Sequence, residues 1–529
     1  MALTFDSRFL LLLAAVAAPF YLAALYVYRV YLCKLASIPG PKLAAFTYYY
    51  QSYYDLYPYQ GRFLFQCEAL HKKYGPIVRI GPDEIHINDP DYYNEIYASN
   101  TRRRDKSALW FWMGGSNNFG DNSAFTTLNH DLHRLRRSAV NPHFSKQKVQ
   151  ELEPRVRNHV LHLKKRLLDL AGTDELVDLS QATSALTLDF VPRELTHSAD
   201  VISDYAFGKA VGALERPDMA KPWNDMLHAG VKIHPFARTF PTVARNMLRI
   251  PAWMMPTNNM KQEVDKFMGI LTGMTQSAKD EAPAEKAKGK PGDLSSGHTN
   301  VLQAIFNSTL PEEEKTFSRV AGEAMIFVGA GTETTGRTLA VTLYNILASS
   351  EVHHRLLEEI RTVIPESRSP LPPATQLEQL PYLTAVVQEG LRISHGVAGR
   401  LARIAPDEDL NYHGHQIGRG TTVSQSNYLV HTHPTYFPDP FKFQPKRFMG
   451  PEGEQARRHL VAFGRGNRAC VGLNLAYSEL FLTIATLIGS LKMELVDTTV
   501  RDATVVTEYF IGCLPADSKG IRVRVLGEL

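Results

Sequence analysis

The residues from Phe463 to Gly472 have the types and spacing that would allow chemistry at a cysteine. They read F-x-x-G-x-R-x-C-x-G, with Cys470 as the cysteine and Arg468 two residues before it. A cysteine thiolate can be the axial ligand of haem iron, where its electron donation favours cleavage of the O–O bond. A cysteine that stands alone in an apolar stretch is more often an inert buried thiol. The rest of the chain decides between these interpretations.

A second group of reactive residue types lies at residues 330–335, which read A-G-T-E-T-T inside an apolar run over residues 320–347. A glycine within a helix costs about 1 kcal/mol relative to alanine, so Gly331 needs a reason. Glu333 beside the hydroxyl of Thr334 has the composition of a general acid site. The alternative is a buried helix with small residues for close packing. A dinucleotide-binding loop is excluded, because the glycine spacing does not fit G-x-G-x-x-G.

Three polar segments accompany these two motifs. Glu389 and Arg392 lie three residues apart, so their carboxylate and guanidinium share a helix face. Alone, such a pair is usually a solvated surface contact. Residues 443–448 read F-Q-P-K-R-F, and residues 130–137 read H-D-L-H-R-L-R-R.

Taken together and in this order, the segments resemble the signature of the cytochrome P-450 family, the haem-thiolate monooxygenases. The resemblance covers nearly the whole chain after residue 37 and implies a mainly α fold with small β-sheets. It implies haem b with Cys470 as the axial ligand, Phe463 shielding the sulfur from water, and turns at Gly466 and Gly472. It also implies that the helix over residues 320–347 loosens over the haem at Ala330 and Gly331. Glu333 and Thr334 would then deliver protons to bound O2.

The resemblance further implies which cations hold the haem propionates. Arg468 and Arg137 would each pair with a propionate, Arg137 belonging to a segment similar to the family's W-R-x-x-R helix. His133 stands where the family has tryptophan and can still donate a hydrogen bond. Arg403 occupies the position of another propionate-binding arginine. We expect the other basic residues of this helix at the surface: Arg134 and Arg136.

A structural role is implied for Glu389, Arg392 and Arg447, the last of which lies in the F-Q-P-K-R-F segment. In the family these residues form a buried, bidentate network that locks the haem-side core. Removal of one partner would leave a buried charge unpaired, at a cost of about 3–5 kcal/mol.

Composition limits the partners. The chain has 529 residues, 58 basic and 54 acidic, and a net charge of +4, which is too small to indicate nucleic acid binding. The basic cluster over residues 134–148 is suited to an acidic electron donor, and the resemblance implies NADPH-cytochrome P-450 reductase. With only four cysteines, a disulfide scaffold is not indicated, so we expect a reducing compartment.

The N-terminus predicts a membrane anchor. Residues 9–28 carry no charge and, at about 1.5 Å per residue, span about 30 Å as a helix. The cations that follow place the downstream domain in the cytosol by the positive-inside rule. With the family resemblance, we expect a single-pass protein of the endoplasmic reticulum membrane. A cleaved signal peptide is the alternative. We therefore predict an anchor with its flank over residues 1–36 and one haem domain over 37–529, joined by a hinge at Pro39 and Pro41.

Four less regular segments complete the sequence-based predictions. An aromatic stretch over residues 110–125, together with Phe327 and Phe510, could line a substrate pocket, although core packing is the alternative for each. Residues 235–260 could form an amphipathic interfacial helix. Residues 279–298 indicate an exposed loop. Residues 188–198 interrupt a family-like segment and indicate either a loop insertion or an error in the gene model.

We therefore expect an enzyme that inserts one oxygen atom of O2 into an apolar small molecule, using electrons from NADPH. The sequences of the central-helix and cysteine-loop segments are most similar to those of filamentous-fungal family members that oxidise terpenoids in secondary metabolism. Family members that oxidise polyketides or alkaloids are the next most similar. Two alternatives remain open. One is isomerase, desaturase or peroxygenase chemistry at the same haem. The other is a non-catalytic haem sensor.

Overall fold

The computed structural model describes residues 7–99, 101–108, 122–188, 213–214, 216–219, 221–247, 259–288 and 300–529. We number the α-helices of this part of the chain in order, and short 3-10 turns connect many of them. The helices are α1 Ser7–Val27, α2 Lys42–Phe46, α3 Tyr49–Asp55, α4 Phe63–Tyr74, α5 Tyr93–Ile96, α6 His130–Ser138, α7 Lys146–Leu168, α8 Leu179–Leu188, α9 Lys221–Lys232, α10 His234–Thr239, α11 Pro241–Met247, α12 Asn259–Lys288, α13 Val301–Asn307, α14 Phe317–Leu347, α15 Ser350–Arg361, α16 Ala374–Leu377, α17 Pro381–Ser394, α18 Asn427–His431, α19 Gly453–Arg458 and α20 Leu473–Ser490.

The strands are short and form four small sheets within the described residues. They are β1 Ile77–Arg79, β2 Glu84–Ile87, β3 Asp105–Lys106, β4 Val177–Asp178, β5 Arg403–Ile404, β6 Leu410–Tyr412, β7 His415–Ile417, β8 Thr422–Ser424, β9 Leu491–Leu495, β10 Thr507–Glu508, β11 Gly512–Cys513 and β12 Arg522–Glu528. The largest sheet has the order β1-β2-β8-β5-β3, in which β1 and β2 are antiparallel and β2 and β8 parallel. The predicted mainly α fold with small sheets is confirmed.

Helix α14, the central helix, runs without interruption through residues 330–335 and is buried along most of its length. Two glycines allow neighbouring helices to approach it closely. A Cβ on Gly336 would lie 2.9 Å from the Cα of Ser184 on α8, and one on Gly390 of α17 would lie 2.0 Å from the hydroxyl of Thr342. Thr187 of α8 also donates its hydroxyl to the carbonyl of Thr332, at 2.8 Å. These contacts fix the central helix between α8 and α17.

Helix α20 follows the cysteine loop directly and packs in the main core, where most of its side chains are buried. Two described helices are long and apolar enough to cross a membrane, and their burial separates them. The window Leu473–Ser490 is 83% buried, as expected of a core helix, whereas the window Ala15–Leu32 is 6% buried. Only the N-terminal helix therefore presents a free apolar surface of membrane-spanning length among these residues.

The segment after α1, where a hinge at Pro39 and Pro41 is predicted, contacts the first sheet. Arg79 of β1 donates to the carbonyl of Arg29 at 2.7 Å, and Arg29 in turn donates to the carbonyl of Phe46 at 2.7 Å. The backbone N–H of Arg79 also donates to the carbonyl of Pro39 at 2.7 Å, and Gly40 lies so close that a Cβ there would be 2.4 Å from the carbonyl oxygen of Arg79. These bonds attach the segment between the anchor and the domain to the first sheet.

The loop expected over residues 279–298 begins later than predicted, because α12 continues to Lys288. Alanine, lysine and glutamate are strong helix formers, and this composition outweighs Pro283 inside the helix. The following helix α13 also packs here, with Asn307 donating to the carbonyl of Ala282 at 2.9 Å. The rest of that segment lies outside the described residues, as do Trp110, Phe111, Trp112, Phe119, most of residues 188–198 and residues 248–258.

Candidate active site

The cysteine loop turns sharply and leaves its sulfur accessible. Gly464 and Gly466 have φ values of +63° and +73°, which favour glycine. A Cβ on Gly466 would lie 2.3 Å from the carbonyl oxygen of Ala98, so this position also requires a residue without a side chain. The backbone N–H of Cys470 donates to the carbonyl of Phe463 at 2.8 Å, which closes the loop. Cys470 is exposed, whereas the neighbouring residues of the loop are half-buried.

The thiol of Cys470 lies in a densely packed environment despite this open side. Burial raises the pKa of the Cys470 thiol, whereas a hydrogen bond from the backbone of Gly472 and the charge of Arg137 act in the opposite direction. Gly472 is also the residue that precedes helix α20, so the sulfur lies near the N-terminus of that helix. The ring of Phe463 packs on Tyr477 of α20, with centroids 5.3 Å apart, beside the sulfur-bearing turn.

Four cationic side chains gather beside this loop. Arg468 donates to the carbonyls of Thr127 and Leu128, at 2.7 and 2.6 Å. Burial and then the charge of Arg403 lower the pKa of Arg468 to about 9. Lys106, which sequence reasoning missed, is buried, and its pKa lies well below the usual value because of burial first and then three neighbouring guanidinium groups: Arg403, Arg468 and Arg137. Such a cluster is unfavourable unless an anion binds to it.

His133 belongs to the same cluster. It is buried on α6, and its Nδ1 atom has no hydrogen-bond partner among the described residues. Burial and then the Arg468 charge lower the pKa of His133 to about 2, so the ring is neutral and can still donate one N–H. An orphaned ring nitrogen, clustered guanidinium groups and an accessible sulfur together fit a planar group with a metal and two carboxylates. The residues present therefore fit haem.

The distal residues lie on the central helix. The hydroxyl of Thr334 donates to the carbonyl of Ala330 at 2.8 Å, as threonine commonly does within a regular helix. The helix therefore remains regular at Gly331, although the resemblance implied that it loosens there. The neighbouring Thr335 is buried and hydrogen-bonds to Glu479 of α20, where burial raises the pKa of the carboxyl to about 8. This bond connects helix α20, which follows the cysteine loop, to the central helix at the residue next to Thr334.

Glu333 has a partner that the sequence did not indicate. Its Oε2 atom lies 2.5 Å from Nε2 of His228 on helix α9, 105 residues earlier in the chain. The Glu333 side chain is 13% exposed and the His228 side chain 41% exposed. No local sequence pattern could have predicted this pair, because the two residues are distant in the sequence and are brought into contact only by the tertiary structure.

The pair at the centre of the ion network is fully buried. Arg392 binds Glu389 through two bonds, of 2.7 and 2.8 Å, and neither side chain is exposed. Arg447 donates to the same carboxylate at 3.0 Å. The remaining N–H groups of Arg392 bond to carbonyls that include that of His431, at 2.9 Å. Each charge therefore has partners, as a buried ionic group requires.

One expectation for an individual residue is corrected. Arg136 is not a surface residue, because its side chain is 12% exposed and makes two bonds, of 2.6 and 3.0 Å, to Glu314 before the central helix. Phe327 is buried and packs on Phe144 with centroids 5.8 Å apart, which agrees with the alternative of core packing. By contrast, Phe125 and Phe510 pair edge to face at 6.0 Å near strand β10, so their place in a pocket stays a prediction.

A mainly helical domain in which a cysteine on a glycine turn faces a cluster of cations defines the haem-thiolate class of proteins. The model of the family described as Cytochrome P450 matches residues 39–508, and the chain belongs to this family. The cytochrome P450 monooxygenase ucsK of Acremonium sp is 48% identical over 526 residues, which cover 97% of this chain and 98% of the relative. The tryptophan 6-hydroxylase fscE of Fusarium equiseti is 34% identical, over 95% and 94% of the two chains.

A further relative, the N-acetyltryptophan 6-hydroxylase ivoC of Emericella nidulans, is 34% identical over 99% of this chain and 97% of its own. The protein is therefore a haem-thiolate monooxygenase, an oxidoreductase that incorporates oxygen from O2. Its cofactor is haem with a cysteine thiolate ligand, and its electrons come from a redox partner, as is typical of the family. The predicted class, fold and cofactor are thus confirmed, whereas the roles of individual residues remain proposals.

Proposed function

We propose that Cys470 is the axial ligand and that the cation cluster beside it binds the haem propionates. The supporting observation is the accessible sulfur on a turn that only glycine permits at position 466, next to buried cations. When bound, haem supplies oxygen activation, and its thiolate ligand favours O–O cleavage. Three side chains hold the propionates by charge and His133 by a hydrogen bond: Arg137, Arg403 and Arg468.

On the distal side, we propose that Glu333 and Thr334 hold and deliver the protons that oxygen activation consumes. Each oxygen insertion takes up two electrons and two protons and releases one water. Thr334 offers a hydroxyl on the same helix turn as Ala330 and Gly331, and Oε2 of Glu333 lies 2.5 Å from Nε2 of His228. Phe463 and Gly472 shape the cysteine side, and Glu389, Arg392 and Arg447 hold the core around it.

The proposed substrate is an apolar small molecule of secondary metabolism, of the terpenoid, polyketide or alkaloid type. The relatives named as hydroxylases support oxygen insertion into a small organic molecule. The proposed electron donor is NADPH-cytochrome P-450 reductase. We further propose a single-pass anchor over residues 1–36 in the endoplasmic reticulum membrane, in contact with lipid, and a cytosolic catalytic domain over 37–529. The apolar window Ala15–Leu32, which is 6% buried, supports this arrangement.

Replacement of Cys470 by alanine tests the central assignment. The variant should lose the thiolate-type absorption band of the reduced, carbon-monoxide-bound haem, because no sulfur remains at the iron. Cys33→Ala is the matched control, since Cys33 is half-buried beside α1 and should leave the band unchanged. A Cys470→Ala protein that retains the band would refute the assignment.

A further inference from the structure

Helix α9 places a histidine on the carboxylate of the central helix. Trp223 and Asn224 of α9 are buried, and the ring of Trp223 lies 5.6 Å from that of Phe267 on α12. Asn224 also bonds to Gln181 of α8. These contacts hold α9 against α8 and α12. His228 lies about one helical turn after Asn224, and from there it contacts Glu333 of the central helix.

The choice of partner for Glu333 is informative. Arg337 follows Glu333 by four residues, a spacing at which glutamate and arginine commonly pair on a helix. Glu333 nevertheless forms its ion pair with His228, and the Nε and Nη2 atoms of Arg337 have no hydrogen-bond partner among the described residues. An arginine keeps its proton at every physiological pH, whereas a histidine can give up its proton near neutral pH. Among the described residues, the carboxylate is therefore paired with a histidine, which can pass a proton, and not with the nearby arginine, which cannot.

Exposure decreases from His228 to Glu333. The side chain of His228 is 41% exposed and that of Glu333 is 13% exposed, and Thr334 is the next residue on the helix. A proton can therefore enter from water at the imidazole and move inward over one short contact. We propose that His228 is the positioning residue that receives protons from solvent and passes them to Glu333, so that the proton supply for oxygen activation enters along helix α9.

The step balances. Protonated His228 donates the proton on Nε2 to Oε2 of Glu333, which leaves a neutral imidazole and a neutral carboxyl. Glu333 then gives this proton towards Thr334 and the reacting oxygen, and the imidazole takes another proton from water. The electrons come from NADPH through the reductase, as in the proposed function. This inference rests on the proposed role of Glu333 and Thr334.

The charged surroundings agree with this role. Burial lowers the pKa of His228, but the hydrogen bond and charge of Glu333 outweigh it, so the pKa is raised overall. Two cations facing the ring oppose this rise: Arg337 and Lys232. Cys513 of β11 also lies near Arg337 and Glu333, and burial raises its pKa to about 11, which keeps this thiol uncharged. A histidine with a raised pKa is protonated in a larger fraction of molecules at neutral pH.

His228→Gln tests the proposal, because glutamine can still donate a hydrogen bond to Glu333 but cannot carry a proton. The holoenzyme with its reductase is given NADPH and O2 without organic substrate, and peroxide formed per NADPH is measured between about pH 6 and about pH 8. Reduction of O2 to peroxide consumes one NADPH per O2, whereas reduction of O2 to water consumes two. Wild type should form more peroxide as the pH rises and His228 loses its proton. The variant should form several-fold more peroxide at the lower pH, with a flat profile.

The matched control is His354→Gln, which removes an exposed histidine–glutamate pair on α15, where His354 lies 3.5 Å from Glu358. Its peroxide yield should equal that of wild type. A His228→Gln enzyme with the wild-type yield and pH profile would overturn the proposal. If Glu333→Gln still raises the yield in that case, the proposed function stands and protons enter elsewhere. If Glu333→Gln and Thr334→Ala also have no effect, the proposed distal roles fail as well.

A second measurement does not depend on activity. Because the pKa of His228 is higher in the folded than in the unfolded protein, its stabilising effect is complete below the unfolded value and is lost as the pH rises through the folded value. The difference in urea midpoint between wild type and His228→Gln should therefore shrink from about pH 6 to about pH 8. A difference that is independent of pH would mean that His228 only holds Glu333 in place, and the proton-transfer role would be refuted.

Discussion

At the scale of single residues, Thr334 has one hydroxyl and one observed partner, the carbonyl of Ala330. Replacing it with alanine removes a small group without a large cavity, so haem binding should persist. Product per NADPH should fall by roughly tenfold, since proton donors contribute factors of this order or more, and the lost oxygen should leave as peroxide.

The control for Thr334→Ala is Thr342→Ala, two turns further along the central helix. Thr342 makes the same type of bond, to the carbonyl of Thr338 at 2.6 Å, but lies against Gly390 of α17. Its replacement should leave the ratio of product to NADPH unchanged. If Thr334→Ala couples NADPH to product as well as wild type does, another group must carry the proton.

The cation cluster predicts a change in haem retention. Arg137→Gln should speed the transfer of haem to a scavenger by roughly tenfold or more, since loss of one partner of a buried charge pair costs about 2 kcal/mol or more. Arg134→Gln, on the exposed side of the same helix, is the control and should not change the rate. Equal rates for both variants would remove Arg137 from the proposed propionate site.

At the scale of elements, the network of Glu389, Arg392 and Arg447 joins α17 to the segment before the cysteine loop. Glu389→Gln should lower the free energy of unfolding by about 3–5 kcal/mol, because two buried cations lose their counter-charge. The exposed pair Arg458–Glu454 on α19 is the comparison, and Glu454→Gln should cost less than about 1 kcal/mol. Urea unfolding measures both, and similar costs would contradict the buried assignment.

The motifs that sequence reasoning located all belong to single helices or turns, where a local pattern defines both the residues and their geometry. The cysteine loop, the central helix and the Glu389–Arg392 pair are of this kind. The contacts that it missed join distant segments: His228 with Glu333 and Arg136 with Glu314. The fold brings these partners together across 105 and 178 residues, and neither partner alone has a distinguishing neighbourhood in the sequence. Lys106 was missed for the same reason.

At the scale of the whole molecule, the apolar helix α1 and the following cations predict the orientation. Protease added to intact microsomes should digest the catalytic domain, because the positive-inside rule places it on the cytosolic side. Detergent-treated microsomes are the control for protease activity, and a lumenal protein of the same vesicles should survive without detergent. A domain that survives in intact vesicles would show the opposite orientation.

The attachment of Arg29 and Pro39 to Arg79 has a consequence for how the enzyme meets its electron donor. A domain on a flexible tether tumbles in three dimensions and presents every face in turn. In the arrangement proposed above, with α1 in the membrane, the segment after the anchor is bonded to the first sheet, so we expect the domain to share the orientation of its anchor and to rotate mainly about the membrane normal. With the electron donor anchored in the same membrane, we expect the collisions of the two proteins to be confined to two dimensions and to involve the same flank of each molecule.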